Sequence, residues 1–172
     1  MKESILNGKS ILAVDDEPDV LSVLEEEILE SCPSCKIDKA SSYETAVTKL
    51  KTEPYDVVIL DIMGVRGFDL LELAVSRKLR VAMLTSHALN PEALKRSIDM
   101  KARAYLPKEK LGEIVPFLED ILKYGYLPGW KNLLIKMEGY FSEKFKGLKD
   151  YSGLTYWEEI RKKFDTTDWS DD

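Results

Sequence analysis

The run Ile11-Leu12-Ala13-Val14-Asp15-Asp16-Glu17-Pro18 decides the fold. Four apolar residues, enough for a short buried strand, stop at two carboxylates. Pro18 then suits the first turn of a helix, where its missing N–H is no loss. The same pattern recurs down the chain. Val57-Val58-Ile59-Leu60 stops at Asp61, and Val81-Ala82-Met83-Leu84 stops at Thr85. Ala104-Tyr105-Leu106 is followed by Pro107 and then Lys108. Helical patterns lie between these runs, so the strands should be parallel. In an open parallel sheet, residues just past the carboxyl ends of the strands converge on one crevice. Three carboxylates, a hydroxyl and an amine therefore meet at one rim. That is the composition of a divalent-cation site with a phosphoryl-binding edge.

Strands are expected at 10–15, 36–40, 55–60, 80–84 and 102–106. The first helix runs from Pro18 to about Glu30, with Val20, Leu21, Leu24, Ile28 and Leu29 at helical spacing, and Pro33 stops it. Ser42 caps a second helix, which carries Thr45, Ala46 and Leu50 on its inner side. Phe68 to Ser76 is the third, and Asn90-Pro91 opens the fourth. Leu111 to Leu122 closes the series with Ile114, Val115, Leu118, Ile121 and Leu122 on one face. Right-handed crossovers then place helices on both faces of the sheet, a doubly wound α/β fold.

The net charge of −6 over 172 residues argues against a nucleic-acid surface, which should be basic. No charged-then-apolar leader opens the sequence, and no apolar stretch approaches the roughly 20 residues that span a bilayer. A soluble, cytoplasmic protein is the expectation. Cys32-Pro33-Ser34-Cys35 has redox-pair spacing. It follows a helix rather than opening one, so the dipole that favours a thiolate is missing. A zinc site would need two further ligands, and His87 is the sole histidine. These are read as loop cysteines without a role.

After Lys123 the sequence changes in kind. Residues 124–172 hold 11 of the 16 aromatics, too many for a disordered tail. Trp130, Leu133, Leu134, Met137, Phe141, Phe145 and Leu148 recur every three or four residues, which predicts one amphipathic helix. Gly139 weakens it and Gly147 ends it. Thr155 with Glu158 forms a capping box for a shorter helix whose apolar side is Trp157, Ile160 and Phe164. The final Asp-rich residues are expected to fray. The chain therefore divides into a unit at 8–123 and an aromatic-rich helical extension at 124–172. The extension has eight Lys/Arg against nine Asp/Glu, unsuited to a phosphate backbone. No DNA binding is expected. The stripe at 130–148 is expected to fold back on the first unit, pair with a partner helix or form a homodimer.

Val14-Asp15-Asp16-Glu17-Pro18, Asp61, Thr85-Ser86 and Tyr105-Leu106-Pro107-Lys108 together resemble the receiver domain of bacterial two-component response regulators. The likeness covers about residues 8–123, and its specificity lies in order, spacing and strand context agreeing at once. It implies a flavodoxin-like five-stranded parallel sheet in the order 2-1-3-4-5. It also implies that Asp61 accepts a phosphoryl group from a sensor histidine kinase, a phosphotransfer protein or a small acyl phosphate. Mg²⁺ would be held by Asp15, Asp16, Asp61 and the backbone carbonyl of Met63. Lys108 would pair with the phosphoryl group and Thr85 would close on it. Tyr105 would swing inward as the second switch residue. Ser86 and His87 would modulate hydrolysis of the acyl phosphate. Self-phosphorylation and autodephosphorylation are implied, with no turnover of an external metabolite.

Elementary chemistry agrees. Three adjacent carboxylates repel one another, so one tends to hold a proton. A hard, oxygen-liking cation relieves that repulsion and leaves Asp61 a nucleophile at neutral pH.

Three departures stand against the family pattern. The turn Asp61-Ile62-Met63-Gly64-Val65-Arg66-Gly67-Phe68 is two residues short, and Gly64 and Gly67 predict a tight turn with positive φ. The usual Lys-Pro pair is inverted to Pro107-Lys108, so a cis bond after Lys108 is not expected. The family's glycine before the fifth strand is Lys101. A receiver fold serving as an unphosphorylated scaffold or interaction module is the alternative. A haloacid-dehalogenase-type phosphatase would need a second Asp at the position of Met63, and a flavodoxin-like cofactor binder would need a phosphate loop after strand one.

Overall fold

A computed structural model describes residues 3–86, 91–146 and 156–166. His87, the Asn90 cap, the Gly147 helix end, Leu148, Thr155 of the capping box and the Asp-rich terminus lie outside the described residues, as does the side chain of Trp157.

Five strands form one parallel sheet in the order β2-β1-β3-β4-β5. They are β1 (Ser10–Val14), β2 (Lys36–Ala40), β3 (Val57–Asp61), β4 (Val81–Thr85) and β5 (Ala104–Pro107). All residues of β3 and β4 are buried, as in β1 from Ile11 on, which is why these runs are continuously apolar rather than alternating. β2, an edge strand, exposes Lys36, Asp38 and Lys39, charges that discourage pairing with another chain.

Between the strands lie α1 (Pro18–Ser31), α2 (Tyr43–Thr52), α3 (Gly67–Ser76), α4 (Pro91–Asp99) and α5 (Ile114–Lys123). The strand order reverses direction after β2, so right-handed crossovers send α1 and α5 to one face and α2, α3 and α4 to the other. α1 accordingly packs beside α5, and α2 beside α3. Ser42 caps α2 as its sequence signals, accepting from the Thr45 N–H at 3.2 Å. The final helix of the series begins later than expected. A 3₁₀ turn covers Lys108–Glu113, and α5 starts at Ile114. Pro116 then sits in the first α-turn, where its missing N–H is free of cost.

The two cysteines lie in the loop between α1 and β2, buried and unbonded to each other. Cys32 Sγ donates to Asn7 Oδ1 at 2.8 Å, and Cys35 Sγ donates to the Leu6 carbonyl at 3.0 Å. Burial and the neighbouring Cys32 push the Cys35 thiol up to about 12, so it is not a thiolate at neutral pH.

The extension differs from the single helix expected over 130–148. It forms α6 (Tyr126–Lys136), α7 (Glu138–Lys144) and α8 (Tyr156–Thr166). The backbone leaves the helical region at Met137 (φ −103°, ψ 7°), two residues before Gly139, whose low helix preference weakens the turn there. The apolar stripe survives the break. Trp130, Leu133, Leu134, Met137, Phe141 and Phe145 are all buried and belong to the same core as the sheet. They are buried within this chain; on α6 only Ile135 is a strongly exposed large apolar side chain. Trp130 Nε1 donates to the Ala102 carbonyl at 2.8 Å, and Tyr126 OH donates to the Ile98 carbonyl. α6 thereby covers the β5 edge of the sheet.

Lys101 occupies the left-handed region at φ 70°, the conformation a glycine at this position would favour. Its ammonium lies 4.7 Å from the centroid of the Tyr126 ring, a cation–π contact that offsets part of a backbone penalty of about 1–2 kcal/mol.

Trp130→Ala is expected to lower the free energy of urea unfolding by about 3–5 kcal/mol, the range for deleting a buried aromatic. Trp130→Phe, which keeps one aromatic ring but leaves a smaller cavity and loses the bond to Ala102, should lose less than the alanine variant. A loss below about 1 kcal/mol for the alanine variant would show that α6 is not part of the core.

Candidate functional site

Register brings the polar residues together. Val14 is paired with Leu60, so Asp15 and Asp61 stand one step further along adjacent strands. Asp61 is paired with Leu84, and Thr85 is paired with Pro107. Asp61 and Thr85 are thus the last strand residues rather than the first loop residues, and Asp15 and Lys108 follow their strands directly. Asp15, Asp61 and Thr85 are buried, whereas Asp16 is exposed at the rim.

Lys108 is the hub. Its Nζ lies 2.8 Å from Asp15 Oδ2, 3.3 Å from Asp61 Oδ1 and 3.3 Å from Glu17 Oε1. Asp15 Oδ1 accepts from the Glu17 N–H at 2.9 Å. Glu17 was legible only as part of the acidic run; its role as a third partner of Lys108 depends on the turn at 15–18, which spacing does not reveal. Burial works against the charge of Lys108, but Asp15 and Asp61 outweigh it and hold the ammonium above the ordinary lysine range. Asp15 is raised by burial, offset in part by Lys108 and the Glu17 N–H. Asp61 is pushed up to about 6, first by burial and then by the charge of Asp15 beside it.

The donor set fits a hard divalent cation. One carboxylate oxygen from each of Asp15, Asp16 and Asp61 lies within 4.8 Å of the others. Asp15 Oδ2 is buried and in charge contact with Lys108, yet has no hydrogen bond of good geometry. An oxygen left in that condition is suited to a metal ligand, because a cation satisfies it without angular demands. The loop after Asp61 presses on the same site. A side chain at Gly64 (φ 81°) would meet the Asp16 carboxylate at 2.5 Å, so Gly64 is needed for both conformation and space. Gly67 does not have positive φ. It is a close-approach glycine, where a Cβ would fall 2.1 Å from the Asp61 carbonyl oxygen. Met63, between β3 and Gly64, is exposed. Arg66 lies away from the pocket: its guanidinium stacks 4.1 Å from the Tyr43 ring centroid and pairs with Asp69 at 2.8 Å.

Ser86 is exposed just beyond Thr85. Tyr105 is fully buried, its ring centroid 6.2 Å from that of Phe141 in α7. No peptide bond among the described residues is cis, the one after Lys108 included.

A doubly wound sheet with an acidic pocket and one ammonium at its carboxyl edge defines the class, and the comparisons define the family. A family model described as the response regulator receiver domain matches residues 11–118, so this chain belongs to the receiver domains of two-component response regulators. No curated protein matches the chain. Similar solved structures share the fold. A response regulator from Thermotoga maritima is 18% identical with a TM-score of 0.60, over 67% of this chain and 98% of that one. A putative response regulator from Chloroflexus aurantiacus J-10-fl is 24% identical with a TM-score of 0.59, over 69% and 100%. The phosphorylated cyanobacterial phytochrome response regulator RcpA is 18% identical with a TM-score of 0.59, over 67% and 94%. Among the described residues, no helix is long and apolar enough to cross a membrane.

Because Asp61 titrates near 6 when folded and near 4 when unfolded, the folded state binds its proton more tightly in that window. Metal-free stability therefore falls as pH rises from about 4 to 6, and the ionised carboxylate remains a cost above that window. Asp61→Asn is expected to be more stable than the parent by about 1–3 kcal/mol at about pH 7.5 in urea unfolding without divalent cations, with most of the gain gone by about pH 4. Equal stability at the higher pH would mean that Lys108 already balances the charge.

Proposed function

We propose that this chain is a phosphorylation-dependent signalling receiver in which Asp61 accepts a phosphoryl group from a sensor histidine kinase or a phosphotransfer protein. The observation that carries the reading is Lys108, held by Asp15 and Asp61 in a pocket with more carboxylates than it can neutralise. On this reading residues 8–123 are the receiver unit, residues 124–172 are its extension, and the chain works in the cytoplasm.

An ionised oxygen of Asp61 attacks phosphorus in line with the donor imidazole. The phosphorus–nitrogen bond breaks as the phosphorus–oxygen bond forms, and the imidazole takes up a proton as it leaves. Lys108 exchanges its Asp61 contact for a phosphoryl oxygen, a charge-assisted bond of the stronger kind. Asp15, Asp16, Asp61 and the carbonyl of Met63 are the residues that would hold Mg²⁺; the close packing of Gly64 on Asp16 brings that turn over the acidic cluster. The ion supplies charge neutralisation for the clustered carboxylates and the incoming phosphoryl oxygens. Thr85, at the end of β4, donates its hydroxyl to the phosphoryl group, and Tyr105 on β5 responds to that movement. Ser86 and His87 tune hydrolysis.

Incubation with acetyl phosphate and Mg²⁺, followed by intact-protein mass spectrometry, is expected to give a single phosphoryl adduct that is absent in Asp61→Asn. Lys108→Ala should slow labelling by about 100–1,000-fold, as for removal of one preorganised donor. Absence of any adduct together with absence of Mg²⁺ binding would favour the unphosphorylated scaffold instead.

A further inference from the structure

The extension straps three neighbouring elements. α8 reaches α4 through Lys95 and Glu159 at 2.8 Å and through Lys163 and Asp99. α6 reaches α5 through Asn132 Nδ2, which donates to Asp120 at 2.8 Å, and through Lys136 to the same carboxylate. α7 reaches β5 and the turn after it. Phe141 packs on Tyr105, and Tyr140 OH donates to Glu109 Oε1. Two consecutive residues of α7 therefore grip the chain on either side of Lys108: Tyr105 three residues before it and Glu109 immediately after it.

We infer that α7 is an internal ligand of the β5 face that selects the unphosphorylated arrangement of the site, and that phosphorylation of Asp61 loosens it. The inference rests on the phosphoryl-acceptor reading above. Lys108 is at present drawn towards Asp15, Asp61 and Glu17. A phosphoryl group on Asp61 places negative charge further out and pulls the ammonium with it. Glu109 shares backbone with Lys108, and a hydrogen bond tolerates only a few tenths of an ångström before it weakens. The Tyr140–Glu109 bond is thus coupled to the position of Lys108, and the Phe141 contact to that of Tyr105.

Beside the buried rings of Phe141 and Phe145, the polar contacts are of a releasable kind. Those of Tyr140, Lys144 and Arg161 are exposed or half-exposed ion pairs and hydrogen bonds, individually weak in water. Glu159 Oε2 is buried without a hydrogen-bond partner, a penalty that opening would relieve. Such segments open locally well below the cost of global unfolding. Coupling is reciprocal, so a change that loosens α7 must favour phosphorylation by the same factor.

The test is hydrogen exchange on the full chain with and without acetyl phosphate and Mg²⁺, with the adduct read by intact mass in the same samples. Exchange in 138–144 is expected to rise about fivefold in the adduct and to stay unchanged in Asp61→Asn. Tyr140→Phe, which keeps the ring and loses only the bond to Glu109, should raise the plateau ratio of adduct to unlabelled protein about fivefold over the parent at the same acetyl phosphate concentration. Unchanged exchange in fully labelled protein, or a parental plateau ratio of adduct in Tyr140→Phe, overturns the inference while leaving the acceptor reading intact. Absence of an adduct defeats the acceptor reading and takes the inference with it.

Discussion

Two buried carboxylates sharing one ammonium are the constraint on which the rest of the molecule turns. Asp15 and Asp61 stand side by side because β1 and β3 are paired in parallel with Val14 opposite Leu60. That register is set by the apolar cores of both strands, since a slip of one residue would turn every side chain to the other face. The sheet thus forces together two charges that repel, and burial raises the proton affinity of each. Lys108, delivered from β5 two strands away, offsets the repulsion without removing it. A protein selected for stability alone would not retain this cluster, because its replacement by apolar residues of similar volume is often neutral or stabilising. What the arrangement provides is an unsatisfied demand for positive charge at one place.

The shortened turn after Asp61 shows how tightly that place is built. Five residues separate the last residue of β3 from the first of α3. The chain closes this gap by putting Gly64 and Arg66 in the left-handed region and by drawing Gly67 against the Asp61 carbonyl. Arg66 takes a conformation costly for a residue with a side chain, and its ion pair with Asp69 and stacking on Tyr43 offset that cost. A shorter loop therefore does not open the site; it packs the turn against Asp16.

The central strands were legible because a strand buried on both faces reads as an unbroken apolar run, and the site because each run ended in a polar residue. Both signals are local. What depends on non-local packing was not legible. The stripe from Trp130 to Phe145 announces that a face is buried, but periodicity does not say against what, nor that a break at Met137 would redirect it. Glu17 as a partner of Lys108, and Tyr140 as a partner of Glu109, join residues that neither spacing nor composition relates. That the loop cysteines are buried was not legible for a similar reason: a Pro-Ser pair between them signals a turn, while their burial comes from the N-terminal segment carrying Leu6 and Asn7.

Lys101 ties the turn before β5 to the extension. Where the family carries a glycine, this chain accepts a left-handed lysine and uses its ammonium to hold Tyr126, the first residue of α6. Arg103 adds a second cation 5.7 Å from the same ring centroid. Tyr126 and Trp130 then bond to the Ile98 and Ala102 carbonyls, backbone groups that remain fixed so long as α4 leads into β5. The extension is consequently held in two ways. Its first helix is anchored by buried aromatics on backbone acceptors, which open only with the core. Its later helices add buried apolar contacts through Phe141, Phe145, Ile160 and Phe164, together with charged pairs at the surface, which exchange partners readily in water. A segment tethered at one end stays at high effective concentration when its surface pairs open, so it can open and return without diffusing away.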